Sequence, residues 1–207
     1  MLYVLCRATL LAGLAATAAS LSPPKVDGVI GPKEWSGARR EKLTGGGEVL
    51  LLRAGSDLYV AVIGVRPGYP TLCVGDFGHV EVLHASAALG SVSYTRTNTR
   101  WLRGKPFEWC VRDVPKPSSV LLAERESFLT EYRWLSTASR AGAPTREFRI
   151  KLDSQRRFLG IVFLSTDTME AAYWPGSMSD GCRSIEWLRG DPPGELELDP
   201  AQWHRIE

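Results

Sequence analysis

The sequence predicts an all-β domain, an antiparallel β-sandwich with one or two short helices inserted. Three observations lead there. Short runs rich in Val, Leu, Ile, Phe and Tyr recur along the chain, several of them alternating with polar residues. Turn signals such as Gly55-Ser56 and Gly68-Tyr69-Pro70 separate them. Only one long segment carries helical spacing instead, a balance typical of a sandwich.

The elements follow in order. Residues Met1 to Ser20 read as a secretory signal peptide, with Arg7, an apolar Ala8–Ala16 stretch and the small residues Ala18 and Ser20 before a cut. An uncleaved anchor is the alternative, although the stretch falls short of the about 20 apolar residues a span requires. Residues 21–207 form one domain. Pro32–Ala38 predicts a single helical turn, with Pro at its first position. Glu48–Ala54 is a buried strand, and Asp57–Val65 is its hairpin partner, apolar on both faces as a central strand is. Gly68-Tyr69-Pro70 then punctuates. Thr71–Val74, His79–Leu83, Ser91–Arg96 and Phe107–Arg112 read as further strands.

Ala123–Ser136 is the helical segment, since Leu121, Phe128, Tyr132 and Leu135 recur at helical spacing opposite Glu124, Arg125, Glu126 and Glu131. Strands return at Arg146–Leu152, half-buried, and at Phe158–Leu164, apolar throughout. Asp180 caps an expected short helix reaching Arg189, and a strand at Glu195–Leu198 precedes the Trp203 region.

Composition narrows the function. The chain has 207 residues, 25 Lys and Arg against 23 Asp and Glu, and a formal charge of +2. The charges are interspersed, which argues against a nucleic-acid footprint. Loss of the leader leaves Cys73, Cys110 and Cys182. In an oxidising compartment these allow one disulfide in three pairings. Cys73 with Cys110 is favoured, because both lie in strand-like runs of the same half, and Cys182 is then free. Seven Trp and six Tyr supply candidate sugar-stacking rings, most of which the core will use.

A family resemblance rests on three pieces. The first is Val26-Asp27-Gly28 with Glu34-Trp35 and Ala38, and the second is Val49–Leu52 followed by Asp57-Leu58-Tyr59-Val60-Ala61-Val62. The third is the order Glu147-Phe148-Arg149-Ile150, Leu159–Phe163 and Tyr173-Trp174-Pro175. Together they resemble the family 9 carbohydrate-binding modules and the related DOMON-like domains of secreted bacterial proteins. The match covers both ends of the chain and leaves Gly68–Ala143 unmatched.

The resemblance implies a secreted or periplasmic, non-catalytic module that binds a saccharide, with protein partners as the alternative and no membrane contact after leader cleavage. Sugar-binding relatives clamp the ring between tryptophans, and some hold structural calcium. Here no motif specifies calcium or any other metal, and no cofactor is expected. Candidate platforms are Trp101, Trp134, Trp174 and Trp187. Trp174 stands in the matching motif, and on an extended strand it and Tyr173 face opposite ways. His84, in an apolar run, is a core residue or lines a pocket mouth with Ser86. Trp35 and Tyr59 read as core.

Catalytic patterns are weak. No Gly-x-Ser-x-Gly elbow or phosphate loop is present. Glu81, Glu108, Asp113 and Glu147 are carboxylates for a hydrolase, the least supported reading, but their spacing selects no pair. Haem ligation by Met169, Met178 or a histidine lacks a motif.

Overall fold

The computed structural model describes residues 22–31, 33–104, 108–140, 142–183 and 192–206, with backbone alone for 108–110. The leader at 1–20, the candidate Trp187 and the expected helix beyond Arg183 lie outside the described residues.

Among the described residues the chain is all-β with one α-helix. Its strands are β1 (Arg39–Lys42), β2 (Glu48–Ala54), β3 (Asp57–Gly75), β4 (His79–Ala85), β5 (Ala88–Thr97), β6 (Arg100–Arg103) and β7 (Glu108–Arg112). After α1 (Ser118–Tyr132) come β8 (Trp134–Ser136), β9 (Ala143–Lys151), β10 (Phe158–Ser165), β11 (Ala171–Trp174), β12 (Glu195–Leu196) and β13 (His204–Arg205). All these pairings are antiparallel, within one 13-stranded sheet.

The single sheet becomes sandwich-like because β3 serves two layers. Its first part, Asp57–Ile63, pairs with β2 and β9, and its second, Gly68–Gly75, pairs with β10, while Thr71–Gly75 also pairs with β4. The register against β9 shifts between Ile63 and Gly68, where the strand bends. Gly68-Tyr69-Pro70 therefore does not end the strand. Gly64 and Gly68 are required there, since a Cβ on either would collide with the Phe163 ring.

Leu58, Val60 and Val62 of the first layer share one apolar cluster with Leu72, Val74, Leu83, Leu159 and Ile161 of the second, and that cluster is the filling between them. Both outer faces are covered as well. Val26, Ile30 and Trp35 of the N-terminal arm lie on Leu50, Tyr59 and Ala61. Met178, Cys182, Leu196, Leu198 and Trp203 lie on Cys73, Val80, Val82, Val92 and Val162. Central strands with two covered faces read as apolar on both, as Asp57–Val65 does. The expected turn near Trp35 is a run of i→i+3 bonds: Glu34 N–H to Gly31 O at 3.2 Å, Ser36 N–H to Lys33 O at 3.4 Å, and Ala38 N–H to Trp35 O at 3.1 Å.

Two further expectations are corrected. The helix starts at Ser118 and stops at Tyr132, short of Ser136, because Arg133 takes φ 63° and donates its N–H to Leu129 O, a left-handed cap. Trp134–Ser136 then pairs with β9, so Trp134 and Leu135 are buried strand residues. The second correction is the disulfide, which joins Cys73 to Cys182 with Cα atoms 6.2 Å apart. The expected Cys73–Cys110 pairing is excluded, because β4 and β5 lie between β3 and β7. Three inter-strand steps amount to about 14 Å, twice a disulfide's reach of about 7 Å. Cys73 instead faces the C-terminal cover, where Cys182 is 1% exposed.

Candidate binding site

Each cover is held by one carboxylate and one tryptophan, the carboxylate buried in Glu147 and half-buried in Asp180. Glu147, on β9, accepts the N–H groups of Asp27 (3.1 Å) and Gly28 (2.7 Å) and the indole N–H of Trp35 (3.1 Å). Asp180 accepts from the Asp199 N–H (2.6 Å), the Trp203 indole N–H (3.0 Å) and the Cys182 N–H (3.3 Å). Burial raises the pKa of both carboxyls, and the donated hydrogen bonds offset part of that rise. Tyr94 Oη donates to Pro193 O at 2.7 Å, and Trp101 Nε1 donates to Leu198 O at 2.8 Å, fastening the C-terminal cover further. Asp27-Gly28, Trp35 and Glu147, which the resemblance singled out, thus meet at one structural anchor. Glu81 is likewise engaged, paired with the buried Arg156, whose guanidinium also donates to Tyr132 O, Arg133 O and Lys151 O.

The sequence-derived candidates fall in separate places. Trp174 is 5% exposed in the central cluster, its ring 4.8 Å from that of His204. Tyr173 is half-buried at the margin of the C-terminal cover, with the Arg183 guanidinium 3.8 Å over its ring. Trp101 is 2% exposed beneath that same cover. Trp134 is fully buried between Phe128 and Phe148. His84 is buried, with Nδ1 2.8 Å from Thr71 Oγ1, and burial brings its pKa down to about 4, with Arg146 adding to the effect. Ser86 lines an open cleft, but His84 does not. None of Trp174, Tyr173, Trp101 or His84 lines any of three surface clefts formed by the described residues.

Those three clefts differ in chemistry. One of ≈ 430 Å³ lies between Gly45-Gly46, the β3 bend and the turn after β10; its one ring, Phe163, is 3% exposed. One of ≈ 420 Å³ is lined by Ser86–Ala88, Arg112–Val114 and Arg140, without an aromatic. The third, ≈ 360 Å³, is lined by Asp76, Phe77, Gly78, Arg157, Phe158 and Arg205. It alone of the three offers an exposed ring: Phe77 is 52% exposed and leans on Phe158 at a centroid distance of 4.9 Å and an angle of 57°.

The turn that carries Phe77 is closed by hydrogen bonds on both sides of it. Phe77 sits at the tip of the β3–β4 hairpin, where Asp76 Oδ1 accepts the Gly78 and His79 N–H groups, both at 2.8 Å. Asp76 N–H donates to His79 O at 2.8 Å, and Arg96 N–H donates to Gly78 O at 3.0 Å. On the opposite wall Arg157 N–H donates to Gly75 O, and Phe158 stands in register with Arg205 of β13. Sequence reading missed Phe77. Its signal was a large aromatic between Asp76 and Gly78, at a turn tip where no core can use it.

Among the described residues no three His, Cys, Asp or Glu side chains gather as metal ligands, and no helix is long and apolar enough to cross a membrane. Compared with protein-family models, curated proteins and solved structures, the chain finds no match.

Proposed function

We propose that this domain is an exported, non-catalytic module that binds a saccharide in the cleft at Phe77. The observation that carries the reading is a half-exposed aromatic ring fixed on a locked hairpin tip beside polar side chains. A sugar presents a C–H face to an apolar ring and hydroxyls to polar groups at its edge, and this cleft has both. Its volume of ≈ 360 Å³ lies at the small end of the about 300–1,000 Å³ usual for ligand pockets, suiting one or two sugar rings. A ring already held in place loses little entropy on binding. The resemblance to family 9 carbohydrate-binding modules supports the same reading, and the buried Cys73–Cys182 disulfide suits an oxidising compartment.

Calorimetric titration with a panel of mono- and oligosaccharides tests it. Binding is expected, weakened at least tenfold by Phe77→Ala with the thermal midpoint unchanged. Failure of every saccharide to bind rejects the reading in favour of a protein-interaction sandwich. The exposed Val120 and Leu122 near the start of α1 favour that second reading.

A further inference from the structure

Resting on the saccharide reading above, we infer that the ligand is an anionic saccharide, its acidic group held by Arg157 and Arg205 while its ring lies on Phe77. Both arginines are exposed and line the cleft, and neither has a carboxylate partner among the described residues. The adjacent Arg156, by contrast, is buried and pairs with Glu81.

The placement of the two arginines follows from the fold. Arg205 stands directly opposite Phe158 in the β10–β13 register, which puts the two Cβ atoms about 4.5–5.5 Å apart and their side chains on one face. Arg157 immediately precedes Phe158. Its Nε donates to Ser154 O at 2.7 Å, which orients the guanidinium and leaves its terminal amines for a ligand. The two cations line the same cleft as Phe77 and Phe158.

Donor and acceptor counting selects the ligand class. A guanidinium only donates hydrogen bonds, whereas an ionised carboxylate or sulfate only accepts them. The planar Arg fork matches such an anion with two parallel bonds. A neutral sugar's hydroxyls both donate and accept, and the carboxylate lining this cleft is Asp76, whose Oδ1 already serves two turn N–H groups. Two donor-only groups facing one half-used acceptor complement an acid better than a polyol. A uronic acid and a sulfated sugar share this chemistry.

The test titrates the protein with trigalacturonate, a heparin-derived tetrasaccharide and cellotriose at low ionic strength, beside Arg157→Gln, Arg205→Gln, the double variant and Phe77→Ala. Expected is at least tenfold tighter binding of one acidic probe than of cellotriose, with affinity falling as sodium chloride rises. The double variant should bring acidic binding down to the neutral level, and Phe77→Ala should weaken it independently. Trigalacturonate binding assigns a carboxylate, and heparin binding alone a sulfate. Both guanidiniums are exposed, so unchanged thermal unfolding of the variants shows that folding is not the cause. Cellotriose binding as tightly as both acids, unaffected by the arginine substitutions, overturns this inference and leaves the saccharide reading standing. Acidic binding that survives the double variant also overturns it, since the anion then sits elsewhere. No binding of any probe overturns both.

Discussion

Glu147 joins the N-terminal arm to the sheet, so replacing it with alanine should open the arm without unfolding the domain. The carboxylate takes three N–H donors, two from the Asp27-Gly28 turn and one from the Trp35 indole. Asp27 is exposed and Gly28 half-exposed, so water satisfies their amides once the carboxylate is gone. Trp35 is 2% exposed, and its indole N–H would be stranded. An unsatisfied buried donor costs about 1–3 kcal/mol, and each lost bond to a charged group about as much before rehydration. Removing a buried carboxylate returns part of this, because burial disfavours its ionised form. The net is about 3 kcal/mol, or about a hundredfold in the opening equilibrium. Hydrogen–deuterium exchange of the peptide spanning residues 22–38 reads it directly. That peptide should exchange about a hundredfold faster in Glu147→Ala, while peptides from β3 and β10 keep their protection. Exchange of the arm within threefold of the parent would refute the anchoring argument, and equal acceleration throughout would show that the arm is no separate unit.

Two further outcomes follow from the same interior. Peptide mapping without reduction should recover Cys73 linked to Cys182, and Cys182→Ser should lower stability by about 4–5 kcal/mol, given the 109-residue separation it closes; a linkage to Cys110 would contradict the fold. His84, with its pKa brought from 6.5 to about 4, contributes stability that is full above pH 6.5 and lost as pH falls through 4, about 3 kcal/mol in all. The raised carboxyls Glu147 and Asp180 act with the opposite sign, losing their contribution as pH rises. The observable is therefore the difference between parent and His84→Gln in denaturant unfolding, which should shrink between pH 6.5 and 4; a difference that does not change with pH refutes it.

The fold class was legible because alternation and turn residues are local signals. β2 and the first part of β3 follow from periodicity alone, and so does the pairing across Gly55-Ser56. The continuation of β3 was hidden by Gly68 and Pro70, which read as punctuation. Here Gly64 and Gly68 make room for the Phe163 ring, a demand from a residue about a hundred positions away. The helix end was misread because Trp134 and Leu135 are buried by strand pairing, which the helical spacing of Leu135 imitates. Cys182 was unreadable as a partner, since nothing near it in sequence says that it covers the outer face of β3. The aromatic search for a site turned to tryptophans, of which the core and covers absorb Trp101, Trp134 and Trp174, and it passed over a phenylalanine at a turn. Trp134, Trp174 and Trp101 are buried for the ordinary reason that large apolar surface is most stabilising inside.

The bent β3 has a mechanical consequence. Most sandwiches join their two sheets by loops, so one layer is free to loosen while the other keeps its ladder. Here a single strand, Asp57–Gly75, forms hydrogen-bonded ladders with β2 and β9 and then with β10 and β4. Neither layer can shift its register or peel away without pulling on the other through that backbone. The N-terminal arm is free to detach, whereas the C-terminal cover stays tied to β3 by the Cys73–Cys182 disulfide, and the body beneath them melts as one cooperative block. The hairpin that presents Phe77 grows from the end of this same strand, which gives the cleft a rigid foundation running the length of the domain.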